Sequence, residues 1–135
     1  CLYYIKLNRM SCFWDSIYRK LDDSDYKFLG AKPTNSKTLI KMLKAKNTLT
    51  KNVKWQNEML KPQFMEEMKH DIKHYRSSSV KDGHLTSGCD PFLLLVCEIF
   101  QVNIIHMYIG VKITYENIKG GRKTLHFNSS ASHMS

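Results

Sequence analysis

The stretch that decides the fold reads Asp90-Pro91-Phe92-Leu93-Leu94-Leu95-Val96-Cys97-Glu98-Ile99-Phe100-Gln101. An aspartate can accept hydrogen bonds from the free N–H groups at a helix start, and a proline fits the first turn, so Asp90-Pro91 predicts where a helix begins. The helix predicted over residues 92–101 is apolar on almost every side, which is typical of a buried helix. We therefore expect this helix at the centre of the core.

Strands are predicted after this helix and helices before it. Runs rich in β-branched and aromatic residues predict strands at residues 103–109, 112–118 and 123–127. The pair Gly120-Gly121 predicts a hairpin turn between the last two strands. Apolar residues at helical spacing predict helices at residues 13–21, 37–46 and 63–75, with a weaker candidate at 53–60. The first helix is expected to end at residues 22–25. This order indicates an α+β fold with a helical N-terminal half, in which a small β-sheet packs on the central buried helix.

Length, hydropathy and cysteine content bound the class of protein. The chain has 135 residues and begins at Cys1, so we interpret residues 1–135 as a single domain from a longer chain. Its longest apolar run, at residues 92–97, is far shorter than the ~20 residues that cross a bilayer, so we expect no membrane span. Four cysteines are too few for a disulfide scaffold, which favours a reducing compartment such as the cytoplasm. We expect a monomer without a cofactor.

The charge is strongly basic and unevenly distributed. The chain has 21 basic and 12 acidic residues, for a net charge of +9, and the segment from residue 32 to 81 alone carries twelve Lys/Arg against four Asp/Glu. This charge permits nucleic acid as a partner but does not require it, because a solvated face of amphipathic helices is the simpler interpretation. His70 and His74 have a spacing that can bind a metal ion, but no Glu stands between them as in His-Glu-x-x-His and no third ligand is indicated, so no metal site is expected.

Cys12 stands immediately before the first amphipathic helix. A thiol there faces unpaired backbone N–H groups and the positive end of the helix dipole, and both favour the thiolate. The same N–H groups can form an oxyanion hole. A cysteine nucleophile also needs a histidine base, and His126 and His133 are available late in the chain. From the spacing alone, a buried and inert Cys12 remains the commoner outcome.

Three blocks of this sequence resemble the ovarian-tumour (OTU) family of cysteine proteases, in the family's order. Ser11-Cys12-Phe13-Trp14-Asp15-Ser16-Ile17 resembles the nucleophile segment that runs into a helix. Residues 87–104 resemble the family's Trp-Gly-x-x-x-Glu-Leu helix and the strand after it. Leu125-His126-Phe127, followed by His133-Met134-Ser135, resembles the closing strand, loop and His-Tyr-[Asp/Asn]. The resemblance implies a papain-like thiol peptidase that cleaves isopeptide bonds after the C-terminal glycine of ubiquitin or a ubiquitin-like modifier.

The sequence also departs from the family pattern at several positions. Arg9-Met10-Ser11 replaces Asp-Gly-Asn before the nucleophile, Asp15 replaces an arginine, and Ser87-Gly88 replaces Trp-Gly. Such divergence is typical of viral or otherwise fast-evolving members, for which the host cytoplasm would be the site of action. The alternatives are a catalytically inactive module that binds ubiquitin or another partner, and a viral protease that processes its own polyprotein.

The resemblance assigns a role to each candidate site residue. Cys12 is the nucleophile and His133 the general base, with the backbone N–H groups of Met10, Ser11 and Cys12 as the oxyanion hole. Ser135 stands where the family has its orienting acid and would be a weak orienter. The alternative base is His126, for which Asn128 could orient the imidazole because residues 126 and 128 of a strand face the same side.

Overall fold

The computed structural model describes residues 14–75, 89–108 and 110–129. Residues 14–20 are helical (α1). The other helices are α2 (Asp23–Leu29), α3 (Ser36–Ala45), α4 (Pro62–Lys73) and α5 (Pro91–Ile99). The strands are β1 (Val53–Trp55), β2 (Glu58–Met59), β3 (Asn103–Tyr108), β4 (Val111–Asn117) and β5 (Thr124–Ser129). The predicted α+β class is therefore confirmed, with a mixed five-stranded sheet in the order β2-β1-β4-β3-β5.

The buried helix lies where its sequence predicts. The Asp90 carboxylate accepts hydrogen bonds from the backbone N–H groups of Phe92 (2.8 Å) and Leu93 (3.1 Å), and Pro91 occupies the first turn of α5. Every residue from Pro91 to Cys97 is buried. The helix packs against α3 and α4 and against β1, β3 and β4 of the sheet. Its surroundings confirm the expectation of a central, buried helix.

The predicted hairpin at Gly120-Gly121 is wrong. Strand β5 pairs with β3, in parallel, on the side of β3 away from β4. The neighbouring position on β4 is occupied by β1, which pairs with it in antiparallel register from Val53↔Asn117 to Trp55↔Tyr115. The chain leaving β4 must therefore cross the start of β3 before β5 can pair.

The glycine pair makes this crossing possible. Gly120 adopts a left-handed backbone conformation (φ 92°), which glycine tolerates without a steric penalty. A Cβ atom on Gly121 would lie 2.5 Å from Cγ of Asn103, the first residue of β3. The Asn103 amide cannot move away freely, since its Oδ1 accepts a hydrogen bond from the Asn117 backbone N–H (2.9 Å).

The weak helix predicted at residues 53–60 is also wrong, because these residues form the hairpin of β1 and β2. Gln56 and Asn57 both have positive φ (52° and 66°), the backbone signature of the two-residue turn that matches strand twist. Gln56 is held by β4, since its backbone N–H donates to the Thr114 carbonyl (2.9 Å) and its side-chain Oε1 accepts from the Thr114 N–H (2.8 Å). Pairing with a distant strand thus overrides the local helical pattern.

The acidic segment that was expected only to end the first helix in fact begins a second one. The Asp22 carboxylate accepts from the Ser24 and Asp25 N–H groups, while the Asp25 carboxylate accepts from the Asp22 N–H (2.9 Å). This reciprocal capping box starts α2, and Gly30, in a left-handed conformation, ends it.

We expect Gly121→Ala to lower the free energy of unfolding by about 1–3 kcal/mol, because the new methyl group overpacks the contact with Asn103. Denaturant unfolding measures the loss. In an Asn103→Ala background the same substitution should cost clearly less, since the clashing amide is gone. Equal losses in the two backgrounds would show that the close approach is not what selects glycine.

Candidate active site

Several of the predicted site residues lie outside the described part of the chain, namely Met10, Ser11, Cys12, His133 and Ser135. The described residues supply the elements that flank them in sequence: α1, which follows Cys12, and β5, which precedes His133. His126 and Asn128 belong to β5 itself.

Trp14 anchors α1 to the rest of the protein. Its side chain is only 2% exposed, and its Nε1 donates a hydrogen bond to the Tyr75 hydroxyl (3.0 Å). Its ring meets Phe92, in the first turn of α5, edge to face with centroids 4.6 Å apart, and Tyr75 also packs on Phe92 at 4.9 Å. The aromatic cluster of Trp14, Tyr75 and Phe92 therefore ties α1 to the end of α4 and the start of α5.

A buried carboxyl lies beside this cluster. Burial raises the pKa of Asp90 to about 7, and the hydrogen bonds from Phe92 and Leu93 offset only part of that effect. The Asp90 backbone N–H donates to the Tyr115 hydroxyl on β4 (3.0 Å). Burial, together with the nearby Asp90 charge, also raises the pKa of Tyr75, whose hydroxyl is thus kept neutral.

Neither cysteine in the described residues is suited to be a nucleophile. Burial and the adjacent Asp90 charge raise the pKa of Cys89 well above its usual value. Cys97 is fully buried in α5, and burial raises its pKa to about 12. Reactive cysteines need a lowered pKa and partial exposure, so both thiols fit a structural role.

The alternative base, His126, lies on the face of the sheet that points away from the helices. Leu125 and Phe127 of β5 are buried in the core, whereas His126 and Asn128 are exposed. The Lys20 ammonium of α1 lies over the Phe127 ring, 5.4 Å from its centroid, so α1 packs on the Phe127 face. His126 and Asn128 share a face, as the alternation predicts, but these two described residues form no hydrogen bond with each other.

His106 is a histidine that the sequence reasoning missed. It is 1% exposed on β3, in register with Phe127, and therefore faces the helices. Burial lowers the pKa of its imidazole and favours the neutral form. The alternation of Ile104, His106 and Tyr108 along β3 was the available signal for an inward-facing position.

Charged residues fix the start of β5 against α2. The fully buried Asp25 carboxylate pairs with Arg122 (2.8 Å) and Lys123 (2.6 Å), and Lys123 also reaches Asp22 (3.1 Å). The Arg122 guanidinium lies 4.2 Å from the Phe28 ring centroid and donates to the Phe100 carbonyl. These acids therefore act as helix caps and ion-pair partners within the chain.

The contacts establish how α1, α5 and β5 run relative to one another. Trp14 meets Phe92 at the start of α5, whereas Tyr26, shortly after α1, meets Phe100 at the end of α5 with centroids 6.0 Å apart. Helix α1 therefore runs alongside α5 in the same direction. Strand β5 starts near α2 and passes Lys20 of α1 at Phe127, so it runs against α1. As a result, the amino end of α1 and the carboxyl end of β5 lie toward the same end of the protein.

No protein-family model, curated protein or solved structure matched this chain. Among residues 14–75, 89–108 and 110–129, no helix is both long and apolar enough to cross a membrane. His70 and His74 lie with ring centroids 4.2 Å apart on α4, but in the same ranges no group of three or more His, Cys, Asp or Glu side chains could hold a metal ion.

We expect Tyr75→Phe to destabilise the protein by about 1–2 kcal/mol, because the part-buried Trp14 N–H loses its acceptor. Tyr18→Phe is the matched control: it removes an exposed hydrogen bond of equal length (3.0 Å), from the hydroxyl of Tyr18 on α1 to the Thr34 carbonyl. The control should lose roughly 0.5 kcal/mol or less, since water replaces that bond. Equal losses by urea unfolding would argue against Trp14 as the anchor of α1.

We expect the buried carboxyl of Asp90 to make stability fall as the pH rises. Because its pKa in the folded protein, about 7, exceeds the usual 3.8, folding gains from the protonated form below pH 4 and loses that gain as the pH rises to 7. Asn caps helices as well as Asp does, so Asp90→Asn keeps the cap and removes the titration. The stability of the variant relative to wild type should increase between pH 4 and 7, by at most about 1.4 kcal/mol per pH unit. A difference that does not change with pH would contradict this assignment.

Proposed function

We propose that this protein is a thiol-dependent deubiquitinase of the OTU type, in which Cys12 is the nucleophile and His133 the general base. The observation that carries the proposal is the opposite direction of α1 and β5. Lys123, before β5, pairs with Asp22, after α1. Further along β5, Phe127 meets Lys20, while Trp14 at the other end of α1 meets Phe92. The sequence that precedes α1 and the sequence that follows β5 both start from the same end of the described structure. This arrangement supports a meeting of the thiol and a late imidazole.

The environments of the two thiols in the described residues, Cys89 and Cys97, support Cys12 as the nucleophile. Burial raises the pKa of Cys89 and of Cys97, and Cys97 has no exposed surface. Cys12 precedes an α-helix, where the dipole and unpaired N–H groups stabilise a thiolate. Cys89 and Cys97 therefore fit structural roles, whereas the sequence position of Cys12 fits a reactive thiol.

The orientation of β5 supports His133 over His126 as the base. His126 and Asn128 are exposed on the sheet face opposite to the one on which α1 packs. An imidazole on that face is separated from the start of α1 by the sheet itself. If His133 is the base, then either Ser135 completes a catalytic triad or Cys12 and His133 act alone as a Cys–His dyad.

The chemistry then follows the general course of thiol acyl transfer. The Cys12 thiolate attacks the carbonyl carbon of the C-terminal glycine of ubiquitin, and the backbone N–H groups of Met10, Ser11 and Cys12 stabilise the oxyanion. Protonated His133 gives its proton to the leaving lysine amine, and a thioester remains. Water, deprotonated by His133, attacks the thioester and releases ubiquitin and the free thiol.

The decisive test is a ubiquitin probe that carries an electrophile at its C-terminus. We expect the probe to label wild type and Cys89→Ala, and to leave Cys12→Ala unlabelled. His133→Ala should slow labelling by about 10²–10⁴-fold, the usual contribution of a general base, while the matched variant His126→Ala should stay close to wild type. Circular dichroism of each variant is the control for folding.

Two results would overturn the proposal. Folded wild type that the probe does not label has no reactive thiol, and ubiquitin binding without turnover of a ubiquitin dimer would then assign the chain to the inactive, binding-only class. Labelling that His126→Ala abolishes and His133→Ala leaves intact would reverse the assignment of the base.

A further inference from the structure

A long part of the chain carries lysines and no acids. Between residues 26 and 57 there is no Asp or Glu, while lysines occur at positions 27, 32, 37, 41, 44, 46, 51 and 54. This range contains all of α3 and the strand β1. A run of like charges of this length raises the electrostatic free energy of the folded protein unless an anion lies against it.

Helix α3 has a buried apolar face and a stripe of lysines along another side. Leu39, Ile40 and Leu43 are buried. Lys37, Lys41 and Lys44 follow one another at four and three residues, so they lie along one side of the helix. Lys37 and Lys41 are exposed, about 6 Å apart along the axis of α3.

Helix α4 extends this stripe. The Lys44 ammonium donates to the Tyr75 carbonyl (2.6 Å), and the Asn47 amide donates to the Lys69 carbonyl (2.9 Å), so the end of α3 lies against the second half of α4. Lys69 and Lys73 are exposed one turn apart on α4. We call Lys37, Lys41, Lys44, Lys69 and Lys73 together the basic surface.

The exposed lysines of the basic surface form no ion pair within the described part of the chain. Helix α4 also carries acids, and Glu66, three residues before Lys69, lies on the same side of the helix as Lys69 and Lys73. Some lysines elsewhere in the described residues are paired, as Lys32 is with Asp23 (2.9 Å) and Lys123 with Asp25. By contrast, none of residues 37, 41, 69 and 73 forms an ion pair with any residue in the ranges 14–75, 89–108 and 110–129.

The composition of the basic surface indicates which class of anionic partner it would bind. Protein interfaces are depleted in lysine and enriched in aromatic residues and arginine, whereas the cations that define the basic surface are all lysines. Large exposed apolar side chains in the described residues are Phe28, Met59, Val111 and Ile118, and none of them lies on α3 or α4. Binding to a single strand relies on aromatic stacking, which this surface does not offer. Lysines act as point charges and suit the regularly spaced phosphates of a duplex.

We propose that the basic surface binds the phosphate backbone of double-stranded nucleic acid without reading its sequence. Lysine ammonium groups act as point charges on phosphates, so we expect the lysines themselves to read no base edges. This function is separate from the thiol chemistry and does not depend on it. Affinity should lie in the range of non-specific binding, with Kd of roughly 10⁻⁴–10⁻⁶ M at physiological salt.

The test compares two triple variants of equal net charge. Lys37→Gln, Lys41→Gln and Lys69→Gln together remove three charges from the basic surface and leave the Lys44 contact with Tyr75 intact. Lys61→Gln, Lys112→Gln and Lys119→Gln remove three exposed charges that also lack ion pairs in the described ranges. They lie at the start of α4, two turns before Lys69, on β4 and after β4. Fluorescence anisotropy with random-sequence DNA and RNA duplexes of about 20 base pairs measures Kd from 50 to 200 mM salt, and thermal melts confirm folding.

We expect wild type to bind with a log Kd that rises steeply with log salt, and the basic-surface variant to reduce the slope by about 1 per lysine removed. The control variant should keep most of the slope. Equal effects of the two variants would mean that net charge alone is responsible, and no duplex binding by wild type at 50 mM salt would overturn the proposal. Tighter binding to polyglutamate than to either duplex would assign the surface to an acidic protein instead.

Discussion

The burial of α5 is the constraint on which the rest of this structure depends. From Pro91 to Cys97 the helix has no polar face that could meet water. Burying apolar surface contributes roughly 25 cal/mol per Å², so the stable arrangement covers this helix on every side. The sheet covers one side, and α3 and α4, together with Trp14 of α1 against Phe92, cover the other. The buried cap that starts the helix has an electrostatic consequence, because the same burial raises the pKa of Asp90.

The position of β5 follows from competition for the edges of the sheet. Strand β1 occupies the free side of β4, so the last strand pairs with the free side of β3. That choice brings Phe127 beneath Lys20 and places the start of β5 beside the Asp25 ion pairs. A hairpin with β4 would have kept the same strand direction but left β5 away from α1. The pairing with β3 therefore places Phe127 of β5 against Lys20 of α1.

Local signals in the sequence predicted the elements that depend on local physics. Asp90-Pro91 marked the start of α5, and apolar spacing located α3 and α4 within two residues at each end. Asp22 and Asp25 also have capping-box spacing, which signals the start of α2, although the apolar pattern alone predicts only the end of the first helix there. The β1–β2 hairpin was not readable, since two non-glycine residues with positive φ are held there by Thr114, nearly sixty residues away.

The candidate site shows the same division between local and distant causes. Strand alternation correctly predicted that His126 and Asn128 share a face, but which face points outward is decided by the packing of Leu125 and Phe127. The inward-facing His106 is buried, and its lowered pKa weakens it as a base near neutral pH. The proposed mechanism therefore needs an imidazole that lies on the same side of the sheet as α1 and that is less buried than His106. The residues after β5 are the part of the sequence beyond Phe127 that can supply one, and His133 is the histidine they contain.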